Sequence, residues 1–232
     1  MRAVRALGLD TATWTASVGL IDGDTELAER SQTVTGSHAG TLLPMIEETL
    51  AAAGIGLRDL ELLAVSVGPG SFTGLRIGLS VTKGLAWANG IPVVGVPTLE
   101  ALASVAAPRP GFICPVLDAR KREVYGAAFR WTGAALECVA EVAVLTPERF
   151  AARLSLPCTL IGDGVDAYAS IWRACLGESA ELIPFADLSP RGSAVARLGA
   201  TRFRLCGPAN VAQMEPIYVR KSEAEVQRQR RR

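Results

Sequence analysis

Between residues 4 and 10 the chain alternates toward a period of two, 14–21 reads as its hairpin partner, and 26–33 follows the turn at Asp22-Gly23-Asp24. Successive side chains of a strand point to opposite faces, so this pattern predicts three meandering strands joined by tight turns. The period then changes. Leu42, Met45, Ile46, Thr49 and Leu50 recur at helical steps within 41–53, and Gly54 supplies the stop. An apolar run at 62–67 predicts a buried strand, which Gly68, Pro69 and Gly70 break. Ser71 or Thr73 caps a second helix that runs through Leu75, Leu79 and Leu85 toward Asn89-Gly90. A strand at 91–96 and a helix at 99–106 follow.

The stretch Ala107-Pro108-Arg109-Pro110-Gly111 reads as a hinge, and beyond it the opening pattern recurs. Three strands are expected at 113–118, 123–129 and 136–142, then a helix at 146–154, a short strand at 159–161 and a helix at 165–176. An aspartate ends the first strand of each half, Asp10 and Asp118. Two halves with one strand meander imply a duplicated α/β unit. That is the plan of the two-lobed actin/hexokinase/Hsp70-like fold, with ribonuclease H-like lobes. The expected division is a lobe at 1–106, a smaller one at 107–226, and a tail at 227–232. Arg228, Arg230, Arg231 and Arg232 make that tail too polar to pack, so disorder is expected there.

Charge changes the picture little: 232 residues carry a net +1, which announces no nucleic-acid binder. The five cysteines, at 114, 138, 158, 175 and 206, show no C-x-x-C spacing, and His38 is the one histidine. Both facts argue against a metal centre and a disulfide framework; buried thiols in a reducing cytoplasm are expected instead. Asp10 interrupts the first apolar stretch, so no signal peptide is read there. The longest uncharged run, 84–99, is broken by Gly90, Pro92, Gly95 and Pro97 and does not suit a membrane span.

Candidate chemistry centres on Gly68, Gly70 and Gly74. Their spacing fits neither a P-loop, which needs Gly-Lys-Ser/Thr, nor G-x-G-x-x-G. Two readings stay open: a backbone cradle for a phosphate or carboxylate, or a turn in which another backbone comes close. Asp10 and Asp118 stand where ATPases of the duplicated fold hold phosphate and metal. Asp10 is followed by Thr11 and the bulky Trp14, and Asp118 by Ala119-Arg120-Lys121-Arg122; the competing reading is that each caps its hairpin turn. Gly162-Asp163-Gly164 reads as an ordinary loop or a relic of an adenosine-binding turn. Gly74 and Gly78, then Ser80, Gly84 and Ala88, pave a helix face with small residues, either for the chain's own sheet or for a second helix.

The string Ser66-Val67-Gly68-Pro69-Gly70-Ser71-Phe72-Thr73-Gly74-Leu75-Arg76-Ile77-Gly78 is more specific than its glycines. With it go Leu9-Asp10-Thr11-Ala12, Ser37-His38-Ala39, Val96-Pro97-Thr98-Leu99-Glu100, Asp118-Ala119-Arg120 with Glu123-Val124-Tyr125, and Pro216-Ile217-Tyr218-Val219-Arg220. In this order the motifs resemble the TsaB (YeaZ-like) family, grouped in older usage with glycoproteases. TsaB is the bacterial subunit that supports threonylcarbamoylation of adenosine in tRNA.

The resemblance implies a non-catalytic dimerisation and activation subunit. Its partners would be a TsaD-like catalytic subunit and a TsaE-like ATPase, with a homodimer when alone and indirect contact with tRNA. It also implies that the first two helices form the shared interface, with Leu42, Met45, Ile46, Gly74, Leu75, Ile77, Gly78 and Val81 in it. Asp10, Thr11 and Asp118 would be a weak, vestigial cofactor site. No cofactor is expected in the chain alone, and ATP or ADP is expected at the junction with TsaD. The His-x-x-x-His pair of TsaD falls on Thr98 and Leu102, neither of which replaces imidazole. A stand-alone ATPase or glycoprotease-like enzyme of the same fold is the alternative.

Overall fold

The computed structural model describes residues 3–34 and 38–220. The first half opens with the antiparallel meander β1 (Arg5–Asp10), β2 (Thr15–Asp22) and β3 (Thr25–Thr33). It continues through α1 (His38–Ala52), β4 (Leu62–Gly68), α2 (Phe72–Asn89), β5 (Val93–Pro97) and α3 (Thr98–Ala106). β4 lies parallel to β1 and to β5, which gives the sheet order β3-β2-β1-β4-β5. α1 turns Leu42, Met45, Ile46, Thr49 and Leu50 onto this sheet, and α2 adds Leu75 and Leu79. Ser71 caps α2 by accepting from Gly74 N, and Gly90 ends it at φ 68°.

The second half repeats the plan with β6 (Phe112–Asp118), β7 (Val124–Trp131), β8 (Leu136–Leu145), α4 (Pro147–Ala151), β9 (Cys158–Ile161), α5 (Asp163–Ala167), α6 (Ala169–Leu176) and β10 (Ala180–Leu182). Its sheet order, β10-β9-β6-β7-β8, is that of the first sheet with equivalent strands in equivalent places. The chain therefore has the duplicated, two-lobed actin/hexokinase/Hsp70-like α/β fold. α3 stands between the lobes: Leu99, Leu102, Ala103 and Ala106 pack with Ile113, Leu117, Phe129 and Ile161 of the second.

Three expectations need correction. The helix expected at 165–176 is two, because the backbone breaks at Tyr168. The segment 107–226 does not stay in the second lobe. Helix α7 (Gly192–Cys206) returns to the first sheet and covers the face opposite α1 and α2. Val195, Ala196 and Ala200 pack there against Ala6, Ile21, Leu62, Ala64, Val94 and Val96. The approach is close because Gly8, Gly19 and Gly192 meet: a Cβ on any of them would overlap backbone of the facing element. The strap that follows runs along the sheet, with Ala209 N donating to Val93 O at 2.8 Å and Ile217 N to Val67 O at 2.7 Å. Thirdly, only Cys114 and Cys158 are buried; Cys138, Cys175 and Cys206 are exposed thiols. The tail at 227–232 lies outside the described residues, and among those no helix is long and apolar enough to cross a membrane.

Candidate functional site

A cleft of about 520 Å³ opens between the lobes. One wall is the β1–β2 turn (Ala12, Thr13, Trp14) and the start of α2 (Ser71, Phe72, Thr73). The other is Leu117, Asp118, Ala119, Arg120, Tyr125 and Asp163. Asp118 Oδ1 accepts from Arg120 N at 2.8 Å and from the Tyr168 hydroxyl at 3.0 Å, and Oδ2 pairs with the Arg120 guanidinium at 3.1 Å. Asp163 Oδ1 accepts from Asp118 N at 2.9 Å. Burial pushes the Asp163 carboxyl up to about 6; the Asp118 charge raises it too, and the backbone N–H donors oppose the rise.

Asp10 does not reach this cleft. It is fully buried, its Oδ1 accepts from Ala12 N at 3.0 Å, and its Oδ2 accepts from the Ser66 hydroxyl. Burial raises its pKa, against the pull of those two bonds. Thr11 is equally buried and donates from Oγ1 to Gly74 O at 2.8 Å. Both aspartates thus cap their turns, and of the three expected cofactor residues only Asp118 faces the cleft.

The turn donors are also consumed. Ser71 N donates to Ala12 O at 2.6 Å, Gly74 N to the Ser71 hydroxyl at 3.2 Å, and Thr15 N to the Thr13 hydroxyl at 3.1 Å. A phosphate cradle needs N–H groups aimed into open space. This cleft spends them on its own walls, and its Asp10 carboxylate is sealed away. The residues present do not fit a metal-bound nucleotide triphosphate held by this chain alone. Among the described residues no three His, Cys, Asp or Glu side chains converge.

The expected interface residues also divide. Leu42, Met45, Ile46, Leu75, Gly74 and Gly78 are buried in the first lobe. A Cβ on Gly74 would overlap Thr11 O, and one on Gly78 would overlap Thr11 Oγ1. The glycine stripe therefore serves the chain's own β1–β2 turn, and those six residues cannot be surface contacts in this fold. Ile77 and Val81 are half-buried and reach the outer face of α2. Beside them that face carries Ser80, Gly84 and Trp87, the last 91% exposed, and α1 adds exposed Leu43. The sequence reading missed Trp87 and Leu43. The signal was available: if 74, 75, 78, 79, 82 and 86 face inward, then 73, 77, 80, 84 and 87 face out.

Fold and cleft together define a two-lobed actin-like protein whose interlobe turns are closed on themselves. Residues 31–227 match the family described as TsaD: tRNA N6-adenosine threonylcarbamoyltransferase. The chain is 30% identical over 94% of its length to the tRNA threonylcarbamoyladenosine biosynthesis protein TsaB of Bacillus subtilis, of which it covers 95%. It is 33% identical over 95% of its length to the TsaB protein of Escherichia coli, of which it covers 96%. A Pseudomonas aeruginosa crystal structure described as similar to peptidase YeaZ matches with a TM-score of 0.79 at 29% identity, covering 94% of this chain and all of that one. The chain belongs to the TsaB family of tRNA threonylcarbamoyladenosine biosynthesis proteins.

Proposed function

We propose that this chain is a non-catalytic subunit of the cytoplasmic machinery that places a threonylcarbamoyl group on adenosine in tRNA. In this reading a TsaD-like partner performs the transfer, and the outer face of α1 and α2 docks that partner or, when the chain is alone, a second copy. A TsaE-like ATPase is the third component, and ATP or ADP is held at the junction with the partner. The observation that carries the reading is the outer face of α2, where Ile77, Val81 and Trp87 flank the small residues Ser80 and Gly84. Small residues at the centre let a facing helix come close, and a large exposed aromatic is the usual anchor of a protein contact. A stable interface needs on the order of 1,600 Å² of total buried surface, which two adjacent helices of this length can supply.

The inward fate of Asp10 and Thr11 supports the non-catalytic part. So does α3, where Thr98 Oγ1 accepts from Gly68 N at 3.1 Å and Leu102 is fully buried. Neither side chain offers a metal ligand to the cleft. The test is reconstitution with a TsaD-like enzyme, threonylcarbamoyl-adenylate and tRNA, each left out in turn, with product read as modified nucleoside. The chain should form none without the enzyme and should raise its yield when added. Product from the chain alone would favour the stand-alone enzyme.

A further inference from the structure

Phe72 and Tyr218 stack at 5.1 Å between centroids, tilted by 31°, where the strap passes the start of α2. The Arg76 guanidinium lies 3.9 Å over the Phe72 ring, and its Nε donates to the Tyr218 hydroxyl at 2.8 Å. The rings are nonetheless 42% and 39% exposed. Across the same cleft the β6–β7 turn presents Arg120, Lys121 and Arg122 at successive φ of 60°, 55° and 59°. Arg220 ties the strap to that turn, donating to Ala119 O at 2.9 Å and pairing with Glu123. The chain beyond Arg220 therefore continues from beside the cationic turn, and its sequence holds Lys221, Arg228, Arg230, Arg231 and Arg232 against Glu223 and Glu225.

We infer that this rim binds RNA directly: Arg120, Lys121, Arg122 and the cations of 221–232 take backbone phosphates, while Phe72 and Tyr218 take an unstacked base. The inference rests on tRNA being the substrate of the assembly, and it replaces indirect contact with a direct one. A net charge of +1 conceals this segregation, because the cations gather at one edge. Exposed rings beside cations are the combination that single-stranded RNA segments use: phosphates need charge, and splayed bases need a flat apolar face. A polyanion without bases would use the cations alone. The Arg120–Asp118 pair is no obstacle, since Arg120 is 84% exposed and such surface pairs contribute little.

The test uses the full chain without partners and a labelled, unmodified tRNA transcript, with binding followed by anisotropy over a range of salt. Replacing Lys121→Gln and Arg122→Gln together should lower the slope of log affinity against log salt by about 1.5, since each phosphate that is no longer neutralised takes away roughly 0.7–0.9. Phe72→Ala should weaken binding by about tenfold or more with the slope unchanged. Phe72→Leu, which keeps an apolar side chain in that place, should weaken it too and guards against a folding artefact. Inorganic polyphosphate should respond to the double variant and ignore the Phe72 variants. Arg130→Gln, on an exposed site of β7, should leave both ligands unaffected. The inference is overturned if the transcript does not bind at low salt, or if both rim variants bind it as the wild type does. It is also overturned if deleting 221–232 abolishes the slope while the rim variants change nothing. None of these readings depends on transfer activity, so they separate this inference from the reading of function.

Discussion

At the end of each lobe's first strand a carboxylate turns back to cap its own chain, and the two differ in what surrounds them. Asp10 is enclosed with Ser66; Asp118 sits at the cleft wall with Asp163 behind it. The Asp163 pKa lies above its unfolded value, at about 6 against 3.8. Between those values the native state holds the proton that the unfolded chain releases. Stability therefore falls as pH rises from about 4 to about 6 and is flat beyond, a loss of about 2–3 kcal/mol from this group. Asp163→Asn keeps the acceptor for Asp118 N and removes the titration. Denaturant melts across this range should show the wild type losing stability relative to the variant; parallel curves would contradict the assignment. Gly78 gives a second test at this scale. Gly78→Ala drives a methyl into Thr11 Oγ1 and should cost about 1–3 kcal/mol, read as a lower midpoint of unfolding.

Among the elements, α2 has two jobs on two faces. Its inner face needs glycine to seat the β1–β2 turn, and its outer face leaves Trp87 almost wholly in solvent. Trp87→Ala should therefore leave the melting temperature unchanged while weakening association with the TsaD-like partner by about 30-fold or more, the scale of an interface anchor. Light scattering and calorimetry would show it; unaltered association would remove Trp87 from the interface.

The meander, α1, the Gly-loop and α2 were legible because their burial follows simple periods: Leu42, Met45, Ile46 and Leu50 mark one helical face and meet the sheet as expected. The assignment of α2's glycines to a partner failed for a physical reason. A small-residue stripe records close approach without saying to what, and Thr11 lies far from Gly78 in sequence. α7 escaped because its buried face is Gly192, Ser193, Ala194, Val195, Ala196, Gly199 and Ala200, which carries almost no apolar contrast. Trp87 was readable only after the inner face was assigned.

At the scale of the whole molecule, the two lobes are joined three times: through α3, through the return of α7 to the first sheet, and through the strap that ends at Arg220 beside the β6–β7 turn. Such bracing suits a protein that presents a fixed surface more than one that opens and closes around a substrate. The claim that the chain supports transfer without performing it has one most direct measurement. Modified nucleoside would be quantified by mass spectrometry after incubating tRNA and threonylcarbamoyl-adenylate with this chain, with the TsaD-like enzyme, and with both. The account predicts no product from the chain alone and more from the pair than from the enzyme by itself. Product above the no-protein control from this chain alone would contradict it.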